Sequence, residues 1–260
     1  MKVSSLVPTY GRFSLLRETL AFFLMQDHPE KELVILNDGP QPIVCKSPEV
    51  RVLNVPPQPN LGVIWEQLRD ASTGELLSIW TDDDWYLPWH SSMAHKHITG
   101  VAWKPSRSWC CMLRSNDFTL TGNVFESSVT IRREAYYFEL KESYGEKFYV
   151  QMNALSAKGD LTTTELNWEA PYVFLWDDGG HHDSGVPLNG RTDEERRADW
   201  KSQVTDFANG RELTPDFAGA SKRFDALVAG TKSKLTPKDW DALKSKLAET
   251  TNGFQCAFQS

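Results

Sequence analysis

Read for the spacing of apolar and polar positions, the first hundred residues alternate between two kinds of segment. "KVSSLVP", "ELVILNDG", "EVRVLNVP" and "ELLSIWT" are short apolar runs of strand length. The second is apolar throughout until Asn37-Asp38-Gly39, the pattern of a strand buried on both faces that ends in a tight turn. Between the runs, "RFSLLRETLAFFLMQ" places Phe13, Leu16, Leu20, Phe23 and Leu24 on one helical face, and "NLGVIWEQLRDAS" reads as a second helix. Strands separated by helix-length segments predict βαβ units, hence an α/β fold with a mostly parallel central sheet and flanking helices, of the Rossmann-like nucleotide-binding kind. In such sheets ligands bind beyond the carboxyl ends of the strands. Thr9, Asn37-Asp38 and Asp82 to Asp84 all fall at those ends, so residues far apart in sequence are expected to meet at one sheet edge.

The pattern then changes. A helix is expected from Pro88 to about Ile98, and "TGNVFESSVTIRR" suggests a strand that returns to the sheet. "GEKFYVQMNALSAKG" reads as a helix ended by Gly159, and "DDGGHHDSG" as a loop. From about Arg191 the chain becomes charged and amphipathic, and in "LTPKDWDALKSKLAETTNG" Thr236 is placed to cap a helix that starts at Pro237. This predicts a catalytic-type domain over residues 1–190 and a helical C-terminal appendage over 191–260.

Composition narrows the class. With 260 residues, 40% hydrophobic and 24% charged, the chain has the makeup of a water-soluble globular protein. Its longest apolar run, Leu20 to Met25, is far below a membrane span, and "MKVSSLVPTY" lacks a signal-peptide core, so the cytoplasm is the expected location. Cys45, Cys110, Cys111 and Cys256 have no CxxC spacing and are expected to be reduced thiols. A formal charge of -7 argues against a broad phosphate-binding surface. Six of the ten tryptophans lie between Trp65 and Trp109; most should fill core, with one or two facing a ligand.

The candidate chemistry centres on "SIWTDDDWYLP". At an effective dielectric near 20, two carboxylates ~4 Å apart repel by about 4 kcal/mol, so three in succession after a buried strand require a cation or strong hydrogen bonding.

In this order, "LVPTYGRFSLLRETLAFFLMQDHPEKELVILNDGP", "NLGVIWEQLRDASTGELLSIWTDDDWYLP", "TIRREAYY" and "GEKFYVQMNALSAKG" resemble the nucleotide-binding half and active-site segments of inverting GT-A glycosyltransferases of the large family-two type, over residues 2–185. The resemblance implies that Pro8, Thr9, Tyr10 and Arg12 form a nucleotide-contact loop, that Asp38 reads the uracil or its neighbourhood, and that Asn60 and Gly62 approach the nucleotide. It implies that the aspartate cluster is the DxD element, holding Mn2+ or Mg2+ against the donor's diphosphate. In an extended strand Asp82 and Asp84 share a face; counted back from Pro88, Asp83 and Asp84 align with the last two acids of the family pattern and Thr81 with its first. Asp84 is the expected metal ligand, with Asp82 or Asp83 assisting. His181 and His182 lie where relatives supply a late ligand, and His182 is the expected one.

The family's catalytic base is the second acid of a pair that opens the fourth segment. Here that position is Lys147. Glu146, Asp177 or Asp178 would have to take the proton, and Glu146 is the expected base, unless the stereochemical course differs. The resemblance therefore implies metal-dependent transfer from a nucleotide sugar, UDP-linked, to the hydroxyl of a saccharide, a protein or a hydroxymethylated DNA base. For DNA, Trp103, Lys104, Arg107, Trp109 and Arg114 would line the groove. Two other activities stay open: nucleotidyl transfer on a similar sheet, and nucleotide-sugar binding without catalysis.

Overall fold

A computed structural model describes residues 1–10, 12–112, 115–136, 144–176 and 210–258; side chains are described outside 144–150 and 253–258. The first half follows the predicted alternation: β1 (Val3–Thr9), α1 (Phe13–Leu24), β2 (Lys31–Asn37), a short β3 (Ile43–Val44), β4 (Val50–Asn54), α2 (Leu61–Ala71) and β5 (Leu76–Ile79). There follow β6 (Trp85–Tyr86), α3 (His90–His97), β7 (Ala102–Pro105), β8 (Arg107–Met112), β9 (Asp117–Gly122) and β10 (Thr130–Arg132). The rest comprises α4 (Tyr144–Ala157), β11 (Leu161–Thr164), β12 (Tyr172–Trp176), β13 (Arg211–Glu212), α5 (Phe217–Thr231) and α6 (Pro237–Phe258).

Seven strands form the main sheet in the order β11-β7-β10-β5-β1-β2-β4. All run parallel except β10, which is antiparallel to both β5 and β7. This is the returning strand expected from "SSVTIRR", and its place inside the sheet explains its buried Thr130 and Ile131. A second sheet, β6-β12-β8-β9, lies outside the sequence-based expectation.

The apolar run of β2 is buried on both faces, as its composition requires. Leu33 and Ile35 join a cluster with Leu16, Leu20 and Phe23 of α1, while Val34 and Leu36 join Ile64, Trp65 and Leu68 of α2. Phe224 and Leu227 of α5 and Leu243 and Leu247 of α6 belong to the α1 cluster, and Arg223 pairs with Glu18 on α1 at 2.9 Å. Two helix ends follow the predicted chemistry, with Thr236 accepting from the Asp239 N–H and Gly159 leaving α4 with φ of 74°, and the Asn60 side chain caps α2 by accepting from the Val63 N–H at 3.1 Å. No helix among the described residues is long and apolar enough to cross a membrane.

All six tryptophans from Trp65 to Trp109 are buried, each 2% exposed or less. Trp103 and Trp109 are 0% exposed, so neither can stack on a base, and the suggested aromatic groove does not form around them. Trp103 instead packs against the rings of His90 and His97, and Trp109 lies in the α1 cluster. Arg114 lies outside the described residues.

Candidate functional site

The parallel register aligns the ends of three strands. Thr9 of β1 pairs with Asn37 of β2, and Asn37 pairs with Asn54 of β4. The Asn37 amide donates to the Gln41 carbonyl at 2.7 Å and to Asn54 Oδ1 at 2.9 Å, while its Oδ1 accepts from the Gly39 N–H. The turn is thereby closed from inside the strand end. Asp38, 3% exposed, accepts from the Gln58 N–H at 3.1 Å and so ties this turn to the loop that leads to Asn60 and α2.

Beyond β5 the chain turns back on itself. The Trp80 and Tyr86 rings stack with centroids 3.9 Å apart, and the Tyr86 hydroxyl accepts from the Thr81 N–H at 2.8 Å and donates to the Ser127 carbonyl at 2.9 Å. That closed loop presents the three carboxylates in three settings. Asp82 accepts from Thr9 Oγ1 at 2.6 Å and Arg12 Nε at 3.2 Å, and Arg12 Nη2 pairs with its other oxygen. Asp83 accepts from Arg12 Nη1 at 2.6 Å. Asp84 is enclosed: its Oδ2 accepts from Thr81 at 2.8 Å, Ser127 at 3.2 Å and Tyr172 at 2.5 Å, and its Oδ1 from the Leu175 N–H at 3.0 Å.

These settings answer the question raised by three successive acids. Arg12 pairs with two of them through one shared positive charge, and hydrogen bonds hold the third. Burial still pushes the Asp82 carboxyl upward against the opposing pull of Arg12, and burial with the neighbouring Asp83 pushes Asp84 upward. Both are thus more easily protonated than a free aspartate.

The structure brings Pro8, Thr9, Tyr10, Arg12, Asp38, Asn60, Gly62 and Asp82 to Asp84 to the strand ends, the adjoining turns or the helix starts that face them. Glu146 and Lys147 fall in the first turn of α4. Asp177, Asp178, His181 and His182 lie outside the described residues. Asp84 stands under cover rather than open at the edge, whereas Asp83, with 14% of its side chain exposed, is the most open of the three. Among the described residues no three His, Cys, Asp or Glu side chains surround one cation position. A hard divalent cation completed by phosphate oxygens and water needs only one or two carboxylates, and Asp83 offers one. Tyr172, Ser127 and Leu175 escaped the sequence reading. They lie 43 to 91 residues from Asp84 and carry no motif.

No protein-family model matches this sequence, and no curated protein does. Solved structures do. S. aureus TarS 1-349 in complex with UDP-GlcNAc is similar with a TM-score of 0.51 at 16% identity, covering 100% of this chain and 92% of that one. A longer S. aureus TarS structure gives 0.51 at 14% identity, over 96% and 54%. Mannosyltransferase PcManGT from Pyrobaculum calidifontis, in complex with GDP-Man and Mn2+, gives 0.49 at 13% identity, over 98% and 74%. With its seven-stranded, mostly parallel sheet flanked by helices, the chain has the GT-A-type glycosyltransferase fold.

Proposed function

We propose that the protein is a glycosyltransferase that takes a sugar from a nucleotide-sugar donor, UDP-linked, and passes it to an acceptor hydroxyl. The observation that carries this reading is the convergence of Thr9, Asp38 and the Asp82–Asp84 corner on the carboxyl edge of one parallel sheet, where nucleotides bind in folds of this kind. The fold shared with TarS, whose structure holds UDP-GlcNAc, supports it.

In this reading Asp38 and the β1 turn meet the nucleoside, and the acidic corner faces the diphosphate. Asp83 would hold Mn2+ or Mg2+, which neutralises charge on the departing diphosphate. Asp82 and Asp84 keep the corner's shape through Thr9, Arg12 and Tyr172. The acceptor oxygen forms the new bond to the anomeric carbon as its proton passes to a carboxylate, for which Glu146 is the candidate, and the bond from that carbon to the diphosphate breaks. Residues 1–190 would form the transferase unit, with the helices after 210 bracing α1.

Lys147, in place of the expected acid, favours one other reading: a protein that binds the donor without turning it over. Incubation with a panel of UDP- and GDP-sugars plus Mn2+, with nucleotide binding and nucleoside-diphosphate release measured in parallel, separates the two. Release stimulated by an acceptor supports transfer; tight binding without release under any acceptor supports the binder; neither binding nor release removes both.

A further inference from the structure

The carboxyl edge of the main sheet carries another pair of charges, two strands from the acidic corner. β7 runs parallel to β5, so its end at Lys104 and Pro105 lies on the same edge as Asp82. Trp103, Thr130 and Ser78 share one register line across β7, β10 and β5, which sets Lys104 level with Ile79, just before the corner. On a strand Lys104 shares a face with Ala102, a member of the apolar cluster that also holds Leu77, Ile79, Ile131 and Met152 of α4. An ammonium there stands at the rim of an otherwise apolar sheet face.

Its opposite charge is Glu126, in the short turn that precedes β10. That turn is fixed from several sides. Asn123 donates to the Pro105 carbonyl at 2.8 Å and to Ser128 Oγ at 2.7 Å, the Ile79 N–H donates to the Val129 carbonyl at 2.9 Å, and Ser127 donates to Asp84 at 3.2 Å. Glu126 is thus the neighbour in sequence of a residue bonded to the acidic corner. Both Glu126 and Lys104 are half-buried; burial pushes the carboxyl up and the ammonium down, and the charge of each partly offsets the other's shift. Yet they form no direct ion pair, and among the described residues neither side chain has a hydrogen-bond partner. Ser106, which follows Pro105, likewise buries its hydroxyl without one. Two partly desolvated charges that do not bond each other are best satisfied by a group set between them that accepts from the ammonium and donates to the carboxylate.

Resting on the glycosyl-transfer reading, we infer that Lys104 and Glu126 hold the transferred sugar of the donor, and that this sugar is a neutral pyranose bound through adjacent hydroxyls. A hydroxyl both donates and accepts, so neighbouring hydroxyls on one ring take a bond from Lys104 and give one to Glu126. The sugar is joined to the diphosphate proposed for Asp83, so it must lie beside the corner, where the Ser127 bond to Asp84 anchors the turn that carries Glu126. A uronic acid would set its carboxylate against Glu126 and the three aspartates, and is disfavoured for that reason.

The test measures dissociation constants of the full chain with Mn2+ by titration calorimetry for UDP, GDP, UDP-glucose, UDP-galactose, UDP-N-acetylglucosamine, UDP-glucuronic acid and GDP-mannose. It then repeats them with Glu126→Gln, Lys104→Met and the double variant, which removes both charges together and leaves neither buried alone. For the nucleotide sugar bound best, each single variant should raise Kd about tenfold, while Kd for the matching nucleoside diphosphate stays within about twofold. The double variant should lose less than the product of the two single losses, because both residues hold one ring. Equal losses for nucleotide sugar and nucleoside diphosphate, no loss for either, or best binding of UDP-glucuronic acid would overturn the inference and leave the transfer reading standing. A wild-type protein that binds none of these compounds removes the transfer reading and the inference with it.

Discussion

Arg12 Nη1 lies 2.6 Å from Asp83 Oδ2 while the same guanidinium holds Asp82 through Nε and Nη2, so one positive charge at the start of α1 is shared by two acids that follow β5. The side chain of Asp82 is 0% exposed. Replacing Arg12 by Gln leaves that carboxylate buried without its counter-charge, which should lower stability by about 3 kcal/mol in denaturant unfolding. Adding Asp82→Asn should recover at least half of the loss, because the uncompensated charge goes with it. A loss within about 0.5 kcal/mol for Arg12→Gln would mean that the pair does not hold the corner.

Tyr172 makes a second testable link. Its hydroxyl is one of the hydrogen bonds that keep Asp84 under cover, at 2.5 Å. Tyr172→Phe keeps the ring and removes the donor, so it should cost about 1–3 kcal/mol by thermal or denaturant melting. Ser127→Ala, which removes a longer bond of 3.2 Å to the same oxygen, should cost less. The reverse order would show that Asp84 relies on Ser127.

Two buried groups weaken the fold as pH falls. His90 is 0% exposed among the rings of Trp80, Tyr86 and Trp103, and burial pushes its pKa down to about 3. Its folded value lies below its unfolded one, so the unfolded chain binds the proton first and stability falls as pH drops from about 6.5 toward 3. For Glu32, burial acts upward but is outweighed by Lys2, Ser4 and Thr73, which hold it at about 2; its contribution is present above about 4.5 and is lost as pH falls through 2. Asp82 and Asp84, pushed upward, take up protons first in the folded state and act in the opposite sense over the same range, so the test is a comparison: His90→Leu should shift the pH dependence of unfolding free energy between 6.5 and 4.5 toward greater stability at the acid end than in the wild-type protein. An unchanged slope in that variant would contradict the assignment.

Glu146 carries the proposed proton transfer. Glu146→Gln should lower acceptor-dependent turnover by about 10²- to 10⁴-fold while nucleotide affinity stays within about twofold. Full activity would pass the role to another carboxylate.

How much of this was legible beforehand differs by element. The β1–α1–β2 and β4–α2–β5 units were readable because each strand and helix announces itself by local period, and the parallel arrangement then follows from connection rules. That reasoning also predicted the meeting of Thr9 with Asp82, since both end parallel strands. The second sheet was not readable: β6 has two residues, and β12 reaches β8 across more than fifty residues of chain. For the same reason the cover over Asp84 was hidden. The residues that make it, Ser127, Tyr172 and Leu175, are ordinary in sequence and become partners only when β12 packs beside the turn after β5. Most of the six tryptophans between Trp65 and Trp109 were expected to fill core, and all six do, Trp65 in the α2 cluster and the others in the remaining clusters; what failed was the suggestion that Trp103 and Trp109 line a groove.

The most direct measurement of the central claim is a crystal structure of the protein grown with Mn2+ and a nonhydrolysable UDP-sugar. The account predicts the nucleoside over Asp38 and the β1 turn, with the diphosphate and cation at Asp83. A nucleotide bound elsewhere, or a corner in which Arg12 still pairs with Asp82 and Asp83 and no phosphate comes within reach, would contradict it.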